Sequence, residues 1–373
     1  MMTKKIAIST GGGDAPGLNA VIRAATLTAI NVYGWQVVGI HNGFDGLLEG
    51  EESIPLDVNT CHGILGAGGT MLGAANRGNP FKRPVGQQPD GTIIYEDQSD
   101  LVIQHIRDQE IDALIMAGGD GTMAIAHELL AKGVKVVGVP KTIDNDLRAT
   151  DRTFGFDTAL NIVVEALDRL RTTAESHHRV MLLEVMGRNA GWIALHAGMA
   201  GGADVILIPE IPFDMDAVCQ KIDEVRLHKR LHSLIVVAEG AAPLGGEQVF
   251  YIKGTDQEEG RLGGIAHMVG KEISHRIQVE TRVTVLGHIQ RGGTPTVMDR
   301  WLGTRFGANA VHLVAQEKWG YMVAIRGNDI IEVPIAEAIA NLNLVDPDSE
   351  PIRTARGLGI SFGAPLLDHI KTP

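Results

Sequence analysis

The stretch VKVVGVPKTIDNDL, residues 134–147, joins two unlike pieces. Its first half is a valine-rich run with no steady polar alternation, the pattern of a strand buried on both faces, which belongs to a parallel sheet covered by helices. Its second half sets an ammonium, a hydroxyl and two carboxylates within six residues, Lys141 to Asp146. A core strand that ends in chemistry sets the expectation for the rest of the chain.

Working outward, the same kind of run recurs at 4–9 (KKIAIS), 112–117 (DALIMA), 180–185 (VMLLEV), 204–209 (DVILIP), 233–238 (SLIVVA) and 282–287 (RVTVLG). Helical patterns lie between them, at 18–30, 159–171 and 213–227. Alternating strands and helices predict an α/β sandwich with mainly parallel sheets. Ligands in such sheets gather at the carboxyl ends of strands, and the candidate motifs are expected at those ends. The segment 241–262, rich in glycine and charge, reads as an inserted loop or hairpin. Residues 318–373 lose the pattern except for MVAIRG and DIIEVPI, and read as a C-terminal elaboration.

With 373 residues the chain is long enough for two domains. A net charge of −12 argues against non-specific nucleic-acid binding and against attraction to anionic membranes. It leaves room for phosphate ligands, because a local arginine cluster focuses positive potential inside an acidic molecule. The two cysteines, Cys61 and Cys219, have no metal-ligand spacing and read as reduced thiols of a cytoplasmic protein. No apolar run approaches the roughly 18 residues needed to span a bilayer.

Three glycine-rich segments are candidates for phosphate binding. STGGGDAPGLNA (9–20) runs from a strand through Gly13 towards a helix, with Pro16 near its start. Glycines let backbone N–H groups approach an anion, and a helix N-terminus favours negative charge. AGGDGT (117–122) sets Gly119 and Gly121 around Asp120, with Thr122 placed to cap the helix that follows. A lone carboxylate there suits Mg2+, which takes one or two carboxylates plus phosphate oxygens and water. GAGGTMLGAANRGNP (66–80) carries one cation, Arg77, that would lie over a nucleotide's phosphates. Taken singly, each segment also reads as an ordinary turn, cap or loop.

If 141–146 is extended, a period of two puts Thr142, Asp144 and Asp146 on one side, with Lys141, Ile143 and Asn145 on the other. Two carboxylates beside a hydroxyl suit a site that deprotonates an acceptor hydroxyl, although DND by itself also reads as an Asx turn. Arginines stand beside strand ends: Arg179, Arg188, Arg282 and Arg291, the last three residues after His288. A guanidinium grips phosphate bidentately and stays charged. Glu239, which ends SLIVVAEG, is an acceptor for sugar hydroxyls or a cap.

Together, GGGDAPGLNA (11–20), GGDGT (118–122), PKTIDND (140–146), EVMGRNAG (184–191) and ETRVTVLGHIQRGG (280–293) resemble the 6-phosphofructokinase family, in its order, from about residue 3 to residue 317. The resemblance implies a two-lobed subunit that transfers a phosphoryl group to O1 of fructose 6-phosphate. It implies a donor-binding lobe at 1–155, a sugar-phosphate lobe at 156–289 and a return segment at 290–317, ahead of the elaboration at 318–373. Asp144 is similar to the base acting on the 1-hydroxyl, flanked by Thr142 and Asp146, and Arg188 to a catalytic arginine. Asp120 resembles the carboxylate that organises Mg2+. Gly13, Arg77, Gly119, Gly121 and Thr122 match the donor-phosphate site. Met186, Gly187, Glu239, His288 and Arg291, with Ile143 of PKTIDND, match the sugar-phosphate site. Arg179 and Arg282 match positions that reach a neighbouring subunit's site, which implies a homodimer or homotetramer.

The family divides into ATP users and pyrophosphate users, and two positions track the division. ATP enzymes usually carry glycine both after the metal-organising aspartate and before the threonine of PKTIDND; pyrophosphate enzymes usually carry aspartate and lysine there. This chain has Gly121 with Lys141. An aspartate at 121 would block ATP's α-phosphate by volume and charge, whereas Lys141 adds a cation that helps pyrophosphate without excluding ATP, above all if it swings aside. The expectation is therefore ATP, with a pyrophosphate-dependent enzyme as the alternative. Ile125, where many bacterial ATP enzymes have glycine, implies a rearranged adenosine pocket. More remote alternatives are an NAD- or lipid-type kinase, which shares GGDGT, and a non-catalytic sugar-phosphate sensor.

Overall fold

In a computed structural model of the chain, which describes residues 3–75, 78–252 and 260–364, the run KIAIST forms β1 (Lys5–Thr10), buried over all but its first residue. A left-handed Gly17 caps the start of α1 (Leu18–Tyr33) and Gly34, also left-handed, ends it, its N–H bonding back to the carbonyls of Ala29 and Ile30. Pro16 thus precedes the helix by two residues rather than opening it. The chain continues through β2 (Gln36–Ile40), the short α2 (Phe44–Leu48) and β3 (Ile54–Leu56). An antiparallel pair, β4 (Arg83–Gln87) and β5 (Ile93–Glu96), comes before α3 (Ser99–Asp108), β6 (Ala113–Gly118), α4 (Asp120–Ala131), β7 (Val136–Thr142), β8 (Phe154–Gly155) and α5 (Phe156–His177).

From there the chain builds β9 (Val180–Val185), α6 (Trp192–Ala200), β10 (Val205–Leu207), α7 (Met215–Leu227) and β11 (Ser233–Ala238). Within 241–262 it forms two short antiparallel strands, β12 (Phe250–Ile252) and β13 (Arg261–Leu262). Then follow α8 (Ile265–Ile277), β14 (Thr281–Val285), α9 (Val297–Ala315), the antiparallel pair β15 (Tyr321–Arg326) and β16 (Asp329–Pro334), α10 (Ile335–Ile339) and α11 (Glu350–Gly357).

These elements divide into two units, and neither is continuous in sequence. The first takes the chain up to Ile143, Leu147–Thr158 and Arg291–Leu342; the second takes Asp144–Asp146, Ala159–Gln290 and the chain from Asn343 onward. Residues 318–373, expected as one elaboration, are shared between the two.

The first unit is a mixed sheet in the order β16-β15-β7-β6-β1-β2-β3, with β8 beside β7. Successive residues of each strand feed opposite faces. Ile6, Ile8, Ile115, Val137 and Val139 pack with α1 and α9, while Ala7, Leu114, Met116 and Val136 pack with α2, α3, α4 and α10. The second unit is a four-stranded parallel sheet, β10-β11-β9-β14. One face buries Val180, Leu182, Ile235 and Val237 against α7 and α8. On the other, Met181 and Leu234 meet Leu170 and Ala174 of α5. Both cysteines are free and buried. Among the described residues no helix is long and apolar enough to cross a membrane.

Candidate active site

In the first unit, the carboxyl ends of β1, β6 and β7 bring three of the sequence motifs together. Past β1, Gly11 donates its N–H to Ala117 at 2.9 Å and Gly12 to Ala75 at 3.3 Å, so the glycine loop is tied to the end of β6 and to the 66–75 segment. Arg77 lies outside the described residues. Two cations close on this loop. Lys141 Nζ donates to the carbonyl of Gly13 at 2.5 Å, and Arg291 Nη1 donates to that of Asp14 at 3.2 Å. A Cβ on Gly13 would lie 2.6 Å from that guanidinium nitrogen, so a side chain there would displace the Arg291 head. Lys141 is 3% exposed, and its side chain is built into the floor of the loop.

Thr122 was expected to cap α4, but the cap residue is Gly119, without a side-chain bond. The physical reason is packing: Thr122 is buried, and a Cβ on Gly11 or Gly118 would come within 2.7 Å and 2.2 Å of its side chain. What α4 offers instead is its first-turn N–H groups at 120–122, which a helix cannot satisfy internally, beside the exposed carboxylate of Asp120. Gly121 differs from its neighbours. A Cβ there would meet nothing within 4 Å, and its φ lies outside the left-handed range. The fold does not require glycine at this position. Ile125 packs into the core face of α4.

The stretch 141–146 does not continue as a strand. β7 ends at Thr142, and Asn145 adopts φ 53°, in the left-handed region. The period-two alternation predicted for Thr142, Asp144 and Asp146 therefore fails, because a left-handed residue reverses the pleat. Lys141, Thr142 and the fully buried Ile143 stay with the first unit. Asp144 and Asp146, each half-buried, go with the second.

In the second unit, β9 runs into Met186, Gly187 and Arg188, and β11 into Glu239. Gly187 sits at φ 136°, a backbone only glycine adopts readily. Its carbonyl takes the N–H of Gly240 at 3.1 Å, while Glu239 donates its own N–H to Val185 at 2.9 Å. These bonds hold the two strand ends together. A Cβ on Gly240 would lie 1.9 Å from the Arg188 carbonyl oxygen, which also accepts from Gln248 at 3.1 Å. Arg188 Nη2 donates to the Gly260 carbonyl at 2.5 Å. The fully buried Gln290, a residue not singled out from sequence, accepts the Met186 N–H at 3.2 Å. It anchors the turn that carries exposed His288; its only signal was its place between His288 and Arg291.

Arg179 and Arg282 lie at the opposite, amino ends of β9 and β14, contrary to the expectation of carboxyl ends for every motif. Both pair with Glu280, and hydrogen bonding from Arg179 leads in holding that carboxylate below its ordinary range. The six residues of β9 put them on the order of 20 Å from Met186. They do not belong to the constellation that Met186, Arg188 and Glu239 form in their own chain.

Past β10, the half-buried Glu210 accepts the N–H of Gly191 at 3.0 Å and of Val345 at 2.8 Å. Burial pushes its carboxyl above the ordinary value, with those two bonds opposing. It fixes the turn after the MGR motif.

Comparison with known proteins agrees with this geometry. Residues 5–314 match the Phosphofructokinase family. The chain is 51% identical over 363 residues to the ATP-dependent 6-phosphofructokinase of Chloroflexus aurantiacus, covering 97% of this chain and 99% of that one. It is 52% identical over 361 residues to the pyrophosphate–fructose 6-phosphate 1-phosphotransferase of Amycolatopsis mediterranei, covering 96% of this chain and 100% of that one. Among solved structures, phosphofructokinase from Saccharomyces cerevisiae superposes with a TM-score of 0.76 at 33% identity, covering 91% of this chain but only 45% of the longer yeast chain. With its glycine loop, its GGDGT helix start and its MGR turn on these two sheets, the chain belongs to the phosphofructokinase family.

Proposed function

We propose that the protein transfers the terminal phosphoryl group of MgATP to O1 of fructose 6-phosphate, giving fructose 1,6-bisphosphate and ADP in glycolysis. The observation that carries the choice of donor is the open space at Gly121, where a Cβ would touch nothing within 4 Å. Near relatives of similar identity carry both donor names, so the donor rests on this local feature. Lys141 does not oppose it, because its ammonium bonds to the chain's own Gly13 carbonyl.

In this assignment Gly13, the N–H groups at 119–122 and Arg77 serve the donor, and Ile143, Met186, Gly187, Glu239, His288 and Arg291 serve the sugar phosphate. Asp144 takes the proton of the sugar 1-hydroxyl as O1 bonds to the terminal phosphorus and the bond to the bridging oxygen breaks. Such a base contributes about 10²–10⁴-fold. Thr142 and Asp146 flank the transferring group. Arg188 offsets charge that spreads over the equatorial oxygens in a loose transition state.

Among the described residues no group of three His, Cys, Asp or Glu side chains is placed to hold a metal ion. A hard cation shared with the donor's phosphates fits, since Asp120 supplies a single exposed carboxylate at the helix start. When bound there, Mg2+ neutralises charge on the phosphate oxygens. Arg179 and Arg282, remote from the rest in their own chain, serve the site of a second copy in a homodimer or homotetramer. The enzyme is assigned to the cytoplasm.

The test supplies purified protein with fructose 6-phosphate, Mg2+ and either ATP or pyrophosphate at equal concentration. Turnover with ATP is expected. Turnover with pyrophosphate alone overturns the donor, and binding of sugar phosphate without turnover by either would make the protein a sensor. Phosphorylation of NAD or of a lipid is not expected.

A further inference from the structure

The chain leaves the first unit after Leu342, and the next residue makes an unusual set of bonds inside the second. The side-chain amide of Asn343 donates to the Asn145 carbonyl at 3.0 Å. Its main-chain N–H donates to the Asp146 carbonyl at 2.8 Å. Its own carbonyl accepts the indole N–H of Trp192 at 2.7 Å. Two residues on, the Val345 N–H reaches Glu210, which also holds Gly191. One short strap thus joins the Asp144–Asp146 loop to the start of α6, the helix that follows the Arg188 turn.

We infer that Asn343 is a positioning residue for Asp144. The inference rests on the assignment of Asp144 as the base. Asn145 stands in the left-handed region, which asparagine enters more readily than other residues that carry a side chain, so the turn after Asp144 needs its following peptides held in place. Asn343 supplies that constraint: it holds the carbonyls of Asn145 and Asp146, the two residues that follow Asp144, so the loop that leads away from the carboxylate is pinned one peptide beyond it. Trp192 fixes Asn343 in turn. The strap also sets the Asp144 loop against the turn that carries Arg188, so base and charge-stabilising group are held from one point. Proton transfer to a positioned base is sensitive to displacements of about 1 Å, which can cost about 10²-fold in rate.

The experiment uses the full-length protein and whichever donor it turns over. Asn343→Ala removes the side-chain bond, and Asn343→Asp keeps the volume but cannot donate to the Asn145 carbonyl. Both are expected to lower kcat by about 10–100-fold while KM for fructose 6-phosphate stays within about threefold. In an Asp144→Ala background, Asn343→Ala is expected to change the residual rate by less than about twofold, because the group it positions is gone. A merely structural role would lower both backgrounds alike, and that result overturns the proposal, as does an Asn343→Ala enzyme with wild-type kcat. Retention of kcat by Asp144→Ala alone would instead remove the base assignment and this inference with it. Should neither Asn343 variant fold, Trp192→Phe gives the same comparison: a lower kcat in the wild-type background only supports the proposal, and no change overturns it.

Discussion

Lys141 Nζ lies 2.5 Å from the carbonyl oxygen of Gly13 and bonds the end of β7 to the glycine loop after β1. Lys141 is almost fully buried, so its removal leaves the half-buried Gly13 carbonyl short of a charged donor. Lys141→Met, which keeps the stem, is expected to lower stability by about 1.5–3 kcal/mol in urea denaturation while ATP turnover persists. Loss of ATP turnover at unchanged stability would show that the ammonium serves the donor and not the loop.

Gly121→Asp separates folding from donor choice. The site is open and lies in the first turn of α4, where a carboxylate is favourable by about 0.3–1 kcal/mol, so stability should hold or rise slightly. ATP turnover should disappear because the new side chain occupies the path of the α-phosphate. Continued use of ATP by the folded variant would count against the donor assignment.

Gly240→Ala tests the Arg188 turn. The added methyl would start 1.9 Å from the Arg188 carbonyl oxygen, and backbone must move to admit it. Overpacking of this kind costs about 1–3 kcal/mol, and a displaced Arg188 is expected to reduce kcat by roughly 10²-fold. Melting temperature and kcat measured together would reveal the effect; a variant matching wild type in both would mean the turn is softer than its geometry.

His232, nearly buried beside Glu175, Arg171, Asp204 and Arg230, gives a pH dependence. Burial is the main cause that holds its imidazole below the ordinary 6.5, with Arg230 next. A histidine with a lowered folded value takes its proton first in the unfolded chain. Its contribution is therefore fully present above about pH 6.5 and is lost as pH falls towards the folded value. Wild type should lose more unfolding free energy than His232→Gln between about pH 7.5 and about pH 5.5. Equal losses would place the acid sensitivity elsewhere.

Much of the fold was legible because the decisive strands are buried on both faces and need no register to be recognised. DALIMA, VMLLEV and SLIVVA became β6, β9 and β11 within one residue of their expected bounds. The chemistry-bearing residues were legible as types and spacings. Their orientation was not. DND read either as an extended step or as an Asx turn, and the structure has a left-handed Asn145 whose carbonyl is held by Asn343, almost 200 positions away. Gln290 and Glu210 were hidden for a like reason: their partners are backbone groups that no side-chain pattern announces. The division of 318–373 likewise depends on pairing at long range, since β15 joins β7 while Ser361 bridges Val205 beside β10.

That division has a consequence for biosynthesis. The core around Ile6, Ile8 and Ile115 is completed by Leu302, Phe306, Val311 and Val323, which leave the ribosome only after the whole β9–β14 sheet has been made. Early strands must wait, half-covered, through more than half of translation, whereas the later-encoded sheet has its own partners at once. A nascent chain halted near residue 290 would therefore carry a nearly finished second unit behind an unfinished first one, and chaperones would find their target at the N-terminal end.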